Sequence, residues 1–191
     1  MRSDYSIIRG IRNQMKKPIN ELIEQKHYMA SIILLFTVID AISNLGRPNN
    51  DKFNDGGVEF RRWVLRYLQI GSPHFAITPE HWWSARNGYV HTWSSYSKGT
   101  EKNDFPYIVF GSGGTGGDVG FSNDRKMIVV RLESFRDTIF RGIDQFLIDE
   151  FDSADEERRI ILENRIRCIC IPMQKEEIVR KANEYSGEDC N

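Results

Sequence analysis

Apolar positions spaced three and four apart mark most of this chain as helix. Met29, Ile32, Ile33, Phe36, Ile39 and Ile42 share one face of a segment over 19–43, which predicts a long helix buried along that side. Upstream, 4–16 reads as a short helix, and Pro18 either interrupts it or opens the next one at its first turn. A loop over 44–57, rich in Asn, Asp, Gly and Pro, separates this from renewed helical spacing over 58–70, where Phe60, Val64, Tyr67 and Leu68 alternate with Arg61, Arg62 and Arg66. Gly71-Ser72-Pro73 ends that segment, and Thr78-Pro79 then sets a capping hydroxyl before a proline suited to the first helical position. Helical spacing returns over 133–151 through Phe135, Ile139, Ile143, Phe146 and Leu147. Ser153 with Glu156 has the pattern of a capping box for another helix to about 171, Pro172 stops it, and a weaker helix spans 174–185.

Two stretches depart from this period. Short strands are expected over 107–110 and 127–132, joined as a hairpin by a mobile glycine-rich loop over 111–126. Within that loop Gly111-Ser112-Gly113-Gly114-Thr115-Gly116 matches a dinucleotide-binding pattern formally, but no helix follows to face a pyrophosphate and there is no second βαβ unit. The stretch 81–93 supports two readings. Asn87-Gly88 is a strong turn dipeptide between aromatic runs, which suits a hairpin. Thr78-Pro79-Glu80 announces a helix instead, and Gly88 inside it costs only about 1 kcal/mol against alanine, which close packing on another backbone can offset.

At 191 residues, with 40% apolar and 28% charged positions, the chain suits a single globular domain. A net charge of −1 excludes a globally basic nucleic-acid binder, so any such contact must come from a local patch. Arg9, Arg12 and Lys16, with Lys17, form one basic stripe; Asp149, Glu150, Asp152, Asp155, Glu156 and Glu157 form an acidic stretch; both read as solvated helix faces. Cys168, Cys170 and Cys190 are too few for a disulfide framework, and Cys168-Ile169-Cys170 lacks zinc spacing. No signal-peptide core follows the N-terminus, and the longest uncharged run, 28–39, falls short of the ~20 residues of a bilayer span. A cytoplasmic protein without a membrane partner is expected.

The densest chemistry lies in Arg86-Asn87-Gly88-Tyr89-Val90-His91. Arginine donates a forked pair of hydrogen bonds to phosphate oxygens, and histidine exchanges protons near neutral pH. On a helix Asn87 and His91 stand at i and i+4, and Arg86 reaches the same groove by its length. Asp40, four residues after Phe36 on the apolar stripe, is a carboxylate in need of a partner, and Arg86 is the natural one; its role is to position. Trp82 and Trp83 cannot both face inward, so one is left for an interface or an RNA groove, and His81 reads as a surface helix residue.

An arginine, a polar residue directly after it and a histidine beyond four intervening residues resembles the Rx4-6H motif of the HEPN superfamily. The apolar helix ending in Phe36-Thr37-Val38-Ile39-Asp40 and the segment around Phe60-Arg61-Arg62-Trp63 add to that resemblance. It tips 81–93 to helix. It implies a mainly α, HEPN-like helical bundle with a small β-hairpin insertion: one domain over 1–191, with a core about 19–151, the insertion about 105–132 and a helical extension over 153–186. It further implies a metal-independent endoribonuclease with no cofactor, a toxin or defence effector, in which a 2′-hydroxyl of RNA attacks the adjacent phosphodiester. His91 would move the proton, Arg86 would stabilise phosphoryl charge and Asn87 would hold His91 or a phosphate oxygen. The implied partners are RNA, a second copy of the chain in a homodimer, and an antitoxin or inhibitor protein. The alternative is a non-catalytic module of the same type that binds RNA, a nucleotide or a protein.

Overall fold

The long helix expected over 19–43 is two helices in the structure, a computed structural model that describes residues 10–48, 56–72, 75–102, 105–114, 117–152 and 154–167. Helix α1 (Lys17–Glu24) ends where Lys26 turns left-handed at φ 62°, and α2 (Tyr28–Leu45) begins two residues later. The N–H of His27 donates to the Leu22 carbonyl at 2.8 Å and that of Lys26 to Ile23 at 3.0 Å, a closing pattern normally built round glycine. With Lys26 in that place, no residue type signals the break. Upstream, α1 continues without a break from a π-helical turn (Arg12–Lys16), so Pro18 lies inside a continuous helical run, where its missing N–H interrupts the hydrogen-bond ladder just after that turn. The part of the expected first helix before residue 10 lies outside the described residues.

Helix α2 is the axis of the molecule. It is long and apolar enough to cross a membrane, yet half of it is buried inside the molecule, with Leu35, Phe36, Ile39 and Ile42 fully enclosed. Around it pack α3 (Gly56–Tyr67), α4 (Pro79–Thr92) and, after a single turn α5 (Lys98–Glu101), the later helix α6 (Leu132–Leu147). Aromatic rings join these elements. Phe36 of α2 stacks near Tyr89 of α4 at 6.0 Å and meets Phe135 of α6 at 5.3 Å, while Trp82 lies flat on Phe135 at 5.0 Å.

The insertion is not the simple hairpin expected. Strands β1 (Gly71–Ser72) and β2 (Phe75–Ala76) form only a two-residue ladder; the main sheet contains β3 (Tyr107–Gly111), β4 (Val119–Phe121) and β5 (Met127–Arg131) in the order β3-β5-β4. β3 runs parallel to β5, so the two expected strands cannot be hairpin partners. The hairpin is formed instead by β4, which lies within the glycine-rich segment and pairs antiparallel with β5, Val119 opposite Val130. This frees the other edge of β5 for β3, with Ile108, Ile128 and Val130 buried toward the helices. β4 is three residues long with a glycine at its centre, too short to show a period.

After α6 a π-helical turn (Ile148–Asp152) leads to α7 (Glu156–Arg167). Asp155 caps α7, its Oδ1 accepting from the Arg158 N–H at 2.8 Å, whereas the expected cap Ser153 lies outside the described residues. So do the helix expected over 174–185 and all three cysteines. Two arginines of α7 bind the carbonyls at and beyond the end of α2: Arg158 donates to Gly46 and Arg47 at 3.0 and 2.9 Å, and Arg165 to Leu45 and Pro48 at 2.9 and 3.1 Å. The Leu45 carbonyl is one that the helix end leaves without a partner inside the helix, and the others belong to the chain just beyond it. The acidic stretch is not merely solvated, because Asp149 pairs with Arg66 and Tyr67, and Glu150 with Arg158. Lys16 likewise is tied to Asp144 and the Phe140 carbonyl.

Candidate active site

The motif stretch is helical. At its start Thr78 Oγ1 accepts from the His81 N–H at 3.3 Å, while His81 Nδ1 accepts from the Thr78 N–H at 3.2 Å, a reciprocal capping box with histidine in the place of Glu or Gln. Burial holds the His81 imidazole below its ordinary pKa, the charge of Glu80 opposing it, and so favours the neutral ring that can accept this bond. His81 is therefore a half-buried capping residue, edge-on to Phe105 at 5.3 Å, not the surface residue expected. Helix α4 ends at Trp93 with φ 54°, its N–H donating back to the Gly88 carbonyl.

Gly88 explains why a turn dipeptide lies inside a helix. The chain leaving α4 folds back over it, so that a Cβ on Gly88 would sit 2.5 Å from the Ser94 carbonyl oxygen and 2.8 Å from that of Tyr96. Only glycine admits that approach. Thr92 Oγ1 donates to the Gly88 carbonyl at 2.8 Å and holds the turn down. Ser84 and Ser97, 2.6 Å apart through their hydroxyls, tie α4 to the start of α5.

These constraints bring four expected residues together. Arg86 Nε and Nη2 donate to Asp40 Oδ2 of α2 at 2.9 and 2.7 Å; its Nη1 donates to Asn87 Oδ1 at 3.0 Å and contacts His91 Nε2 at 2.7 Å. A guanidinium has no lone pair to give, so Nε2 of His91 is the acceptor and the ring is the neutral tautomer with its proton on Nδ1. The Arg86 and Asp40 side chains are only 16% and 22% exposed. Burial raises the Asp40 carboxyl above its ordinary value, outweighing the hydrogen bond and charge of Arg86. The Arg86 guanidinium also lies over the Trp83 ring at 5.1 Å, and Arg61 of α3 lies over the same ring at 5.2 Å.

Beside this cluster is a groove of about 450 Å³, with Asn87, His91 and Trp83 from α4, Arg61 from α3, and Lys98 and Phe105 across it. His91 and Lys98 are exposed. Trp82 and Trp63 are core residues, leaving Trp83 at the groove and Trp93, 67% exposed, beyond it. Tyr89 turns inward, its hydroxyl donating to the Ile108 carbonyl at 3.1 Å, and burial pushes its pKa up to about 12. The sequence pattern marked Arg61 only as a charged helix position and gave Lys98 and Phe105 no role. Their signal is tertiary, because the groove exists only once α3 and the chain following α4 have been packed against α4.

Among the described residues, no group of three or more His, Cys, Asp or Glu side chains is placed to hold a metal ion. The architecture defines a mainly helical bundle with a small mixed sheet and an Arg-Asn-His cluster at a groove. Comparison with family models, curated proteins and solved structures gives no significant match.

Proposed function

We propose that this chain is a metal-independent endoribonuclease of HEPN type, acting on RNA through its own 2′-hydroxyl. The observation that supports this reading best is the single guanidinium of Arg86 anchored by Asp40 on one side and touching Asn87 and His91 on the other. An anionic phosphoryl oxygen is a stronger acceptor for Nη1 than a neutral imidazole. Substrate therefore draws Arg86 from His91 and frees the Nε2 lone pair. That nitrogen takes the proton of the 2′-hydroxyl, the 2′-oxygen bonds to phosphorus, and the bond from phosphorus to the 5′-oxygen breaks. Arg86 stabilises the charge that builds on the non-bridging oxygens. The departing 5′-oxygen takes up a proton, leaving a 2′,3′-cyclic phosphate and a 5′-hydroxyl. One chain offers one imidazole at this place, so the reading includes a homodimer in which a second His91, protonated, supplies that proton. An antitoxin or inhibitor protein that covers the groove belongs to the same reading.

The test is purified protein with mixed RNA in EDTA. Cleavage giving cyclic phosphate ends is expected for the wild type, and His91→Ala lowers it by about 10²–10⁴-fold while circular dichroism stays unchanged. Undiminished cleavage by His91→Ala, in protein freed of contaminating nuclease, refutes the assignment. One observation favours the second reading, a non-catalytic RNA-binding module: the Nε2 lone pair is occupied by Arg86. RNA that binds without being cut, leaving that bond in place, would select it.

A further inference from the structure

Resting on the ribonuclease reading, we infer that Trp83 is a positioning residue for Arg86, its indole face being the surface on which the guanidinium slides when Nη1 exchanges His91 for a phosphoryl oxygen. Asp40 grips one edge of that guanidinium, through Nε and Nη2 on the single oxygen Oδ2. Two bonds to one atom leave the plane free to rock about it. The Trp83 ring supplies the missing constraint, since the Arg86 guanidinium carbon lies 5.1 Å from its centroid, within reach of a cation–π contact. With the Arg86 side chain only 16% exposed, that contact is largely desolvated and lies toward the stronger end for its kind. A hydrogen bond is lost when its donor shifts sideways, whereas attraction to a ring face has no single acceptor atom to leave. Arg86 thus releases His91 without leaving Trp83. The ring is itself seated from outside α4. On α3, Gly57, Phe60 and Arg61 stand at i, i+3 and i+4 and meet the indole together. Phe60 lies 5.3 Å from it ring to ring, Arg61 sets its own guanidinium over it at 5.2 Å, and a Cβ on Gly57 would stand 2.9 Å from Trp83 Cζ2. Of the aromatic side chains tryptophan holds cations best, which fits a ring shared by two guanidiniums. Trp83 also borders the groove. A ring that only walled the groove would alter substrate affinity, while a ring that holds Arg86 alters the chemical step.

The test replaces Trp83 with Leu, which removes the π face, and with Phe, which restores one. Single-turnover cleavage of mixed RNA at saturation is expected to fall ~10-fold in Trp83→Leu, with the half-saturating concentration changed less than ~3-fold, and to recover most of that loss in Trp83→Phe. In an Arg86→Ala background Trp83→Leu costs nothing further, because the ring acts through that guanidinium. A readout free of catalysis is the Arg86 Nε–H resonance in isotope-labelled protein, identified by its absence in Arg86→Lys. In the wild type the ring current displaces this resonance and its heteronuclear NOE is that of a rigid group. Both features are lost in Trp83→Leu and kept in Trp93→Leu, which removes an exposed tryptophan instead. Should Trp83→Leu fail to fold, Gly57→Ala displaces the ring without deleting it and is read by the same two measurements. Full cleavage rates in Trp83→Leu beside an active wild type, a change in the half-saturating concentration alone, or an unmoved Arg86 resonance overturns the inference. If the wild type cuts no RNA, the ribonuclease reading falls by itself, and the Arg86 resonance still decides whether Trp83 holds that side chain.

Discussion

Replacing Gly88 with alanine sets helix propensity against packing, and the two give opposite signs. Inside a helix the change to alanine is worth about 1 kcal/mol of stability. The new methyl, however, would lie 2.5 and 2.8 Å from two carbonyl oxygens, those of Ser94 and Tyr96. Both are backbone atoms, so relief means moving the turn that follows α4, and overpacking of this kind costs about 1–3 kcal/mol. That turn is also held by the Thr92 hydroxyl and the Ser94 N–H, at 2.8 and 3.3 Å from the Gly88 carbonyl. Displacing it strains those bonds, so the upper part of the range applies, and the net effect is a loss of about 1–2 kcal/mol. Urea denaturation followed by far-ultraviolet circular dichroism measures it as a fall in midpoint with an unchanged slope. The displaced turn precedes Ser97 and Lys98, so binding in the groove weakens as well. A variant about 1 kcal/mol more stable than the wild type, as propensity alone dictates, would show that nothing folds back over Gly88 and would remove the wall of the proposed site.

Arg86→Lys keeps the charge but cannot reach Asp40, Asn87 and His91 together, and RNA cleavage is expected to fall by about 10²-fold or more in single-turnover assays; wild-type rates would deny the fork any part. Asp40→Asn is expected to stay within about 1 kcal/mol of the wild type at pH 7, because burial already outweighs the benefit of its charge, while cleavage falls at least ~10-fold as Arg86 loses its anchor. Since the folded pKa of Asp40 is raised above 3.8, its contribution to stability is complete below that value and is lost as pH rises through the folded one, so acid-range denaturation should favour the wild type over Asp40→Asn, and a constant difference across that range refutes the sign. His81 has the opposite shift: the cap it makes is fully present above the unfolded value near 6.5 and is lost as pH falls through the lowered folded value. His81→Gln, whose amide can still close the box, should flatten this dependence of about 1 kcal/mol, and an identical acid profile in both proteins would exclude His81 as its source.

The sequence is informative where a residue type carries the signal by itself. Thr78 and Pro79 mark the start of α4 because a capping oxygen and a missing N–H act locally, and Asp40 on an apolar stripe points to a cation because a carboxylate there needs one. Gly88 is undecided on local grounds, since the backbone that excludes every other residue arrives from the following turn. The division between α1 and α2 leaves no mark, because lysine takes the left-handed position. Short apolar, β-branched runs mark β3 and β5 as strands but do not say whether they run side by side in the same or opposite senses; that is decided by β4 occupying the antiparallel edge. Arg61, Lys98 and Phe105 come to one groove only once α3, α4 and the segment from α5 to Phe105 are assembled.

The grip of α7 on the end of α2 has a consequence for the order in which the protein matures. Asp40 lies five residues before Leu45, about 7.5 Å along the helix axis, and the carbonyls from Leu45 to Pro48 are bound by Arg158 and Arg165. During synthesis α2 and α4 leave the ribosome long before those arginines exist. A nascent chain can thus bring Asp40 to Arg86 while the end of the Asp40 helix is still open to water and free to fray. Docking of the last described helix then closes that end, so the group that steadies Arg86 becomes rigid only after α7 has been made. If the chain is the ribonuclease proposed, such a delay leaves the site unfinished while the chain's own messenger is within reach.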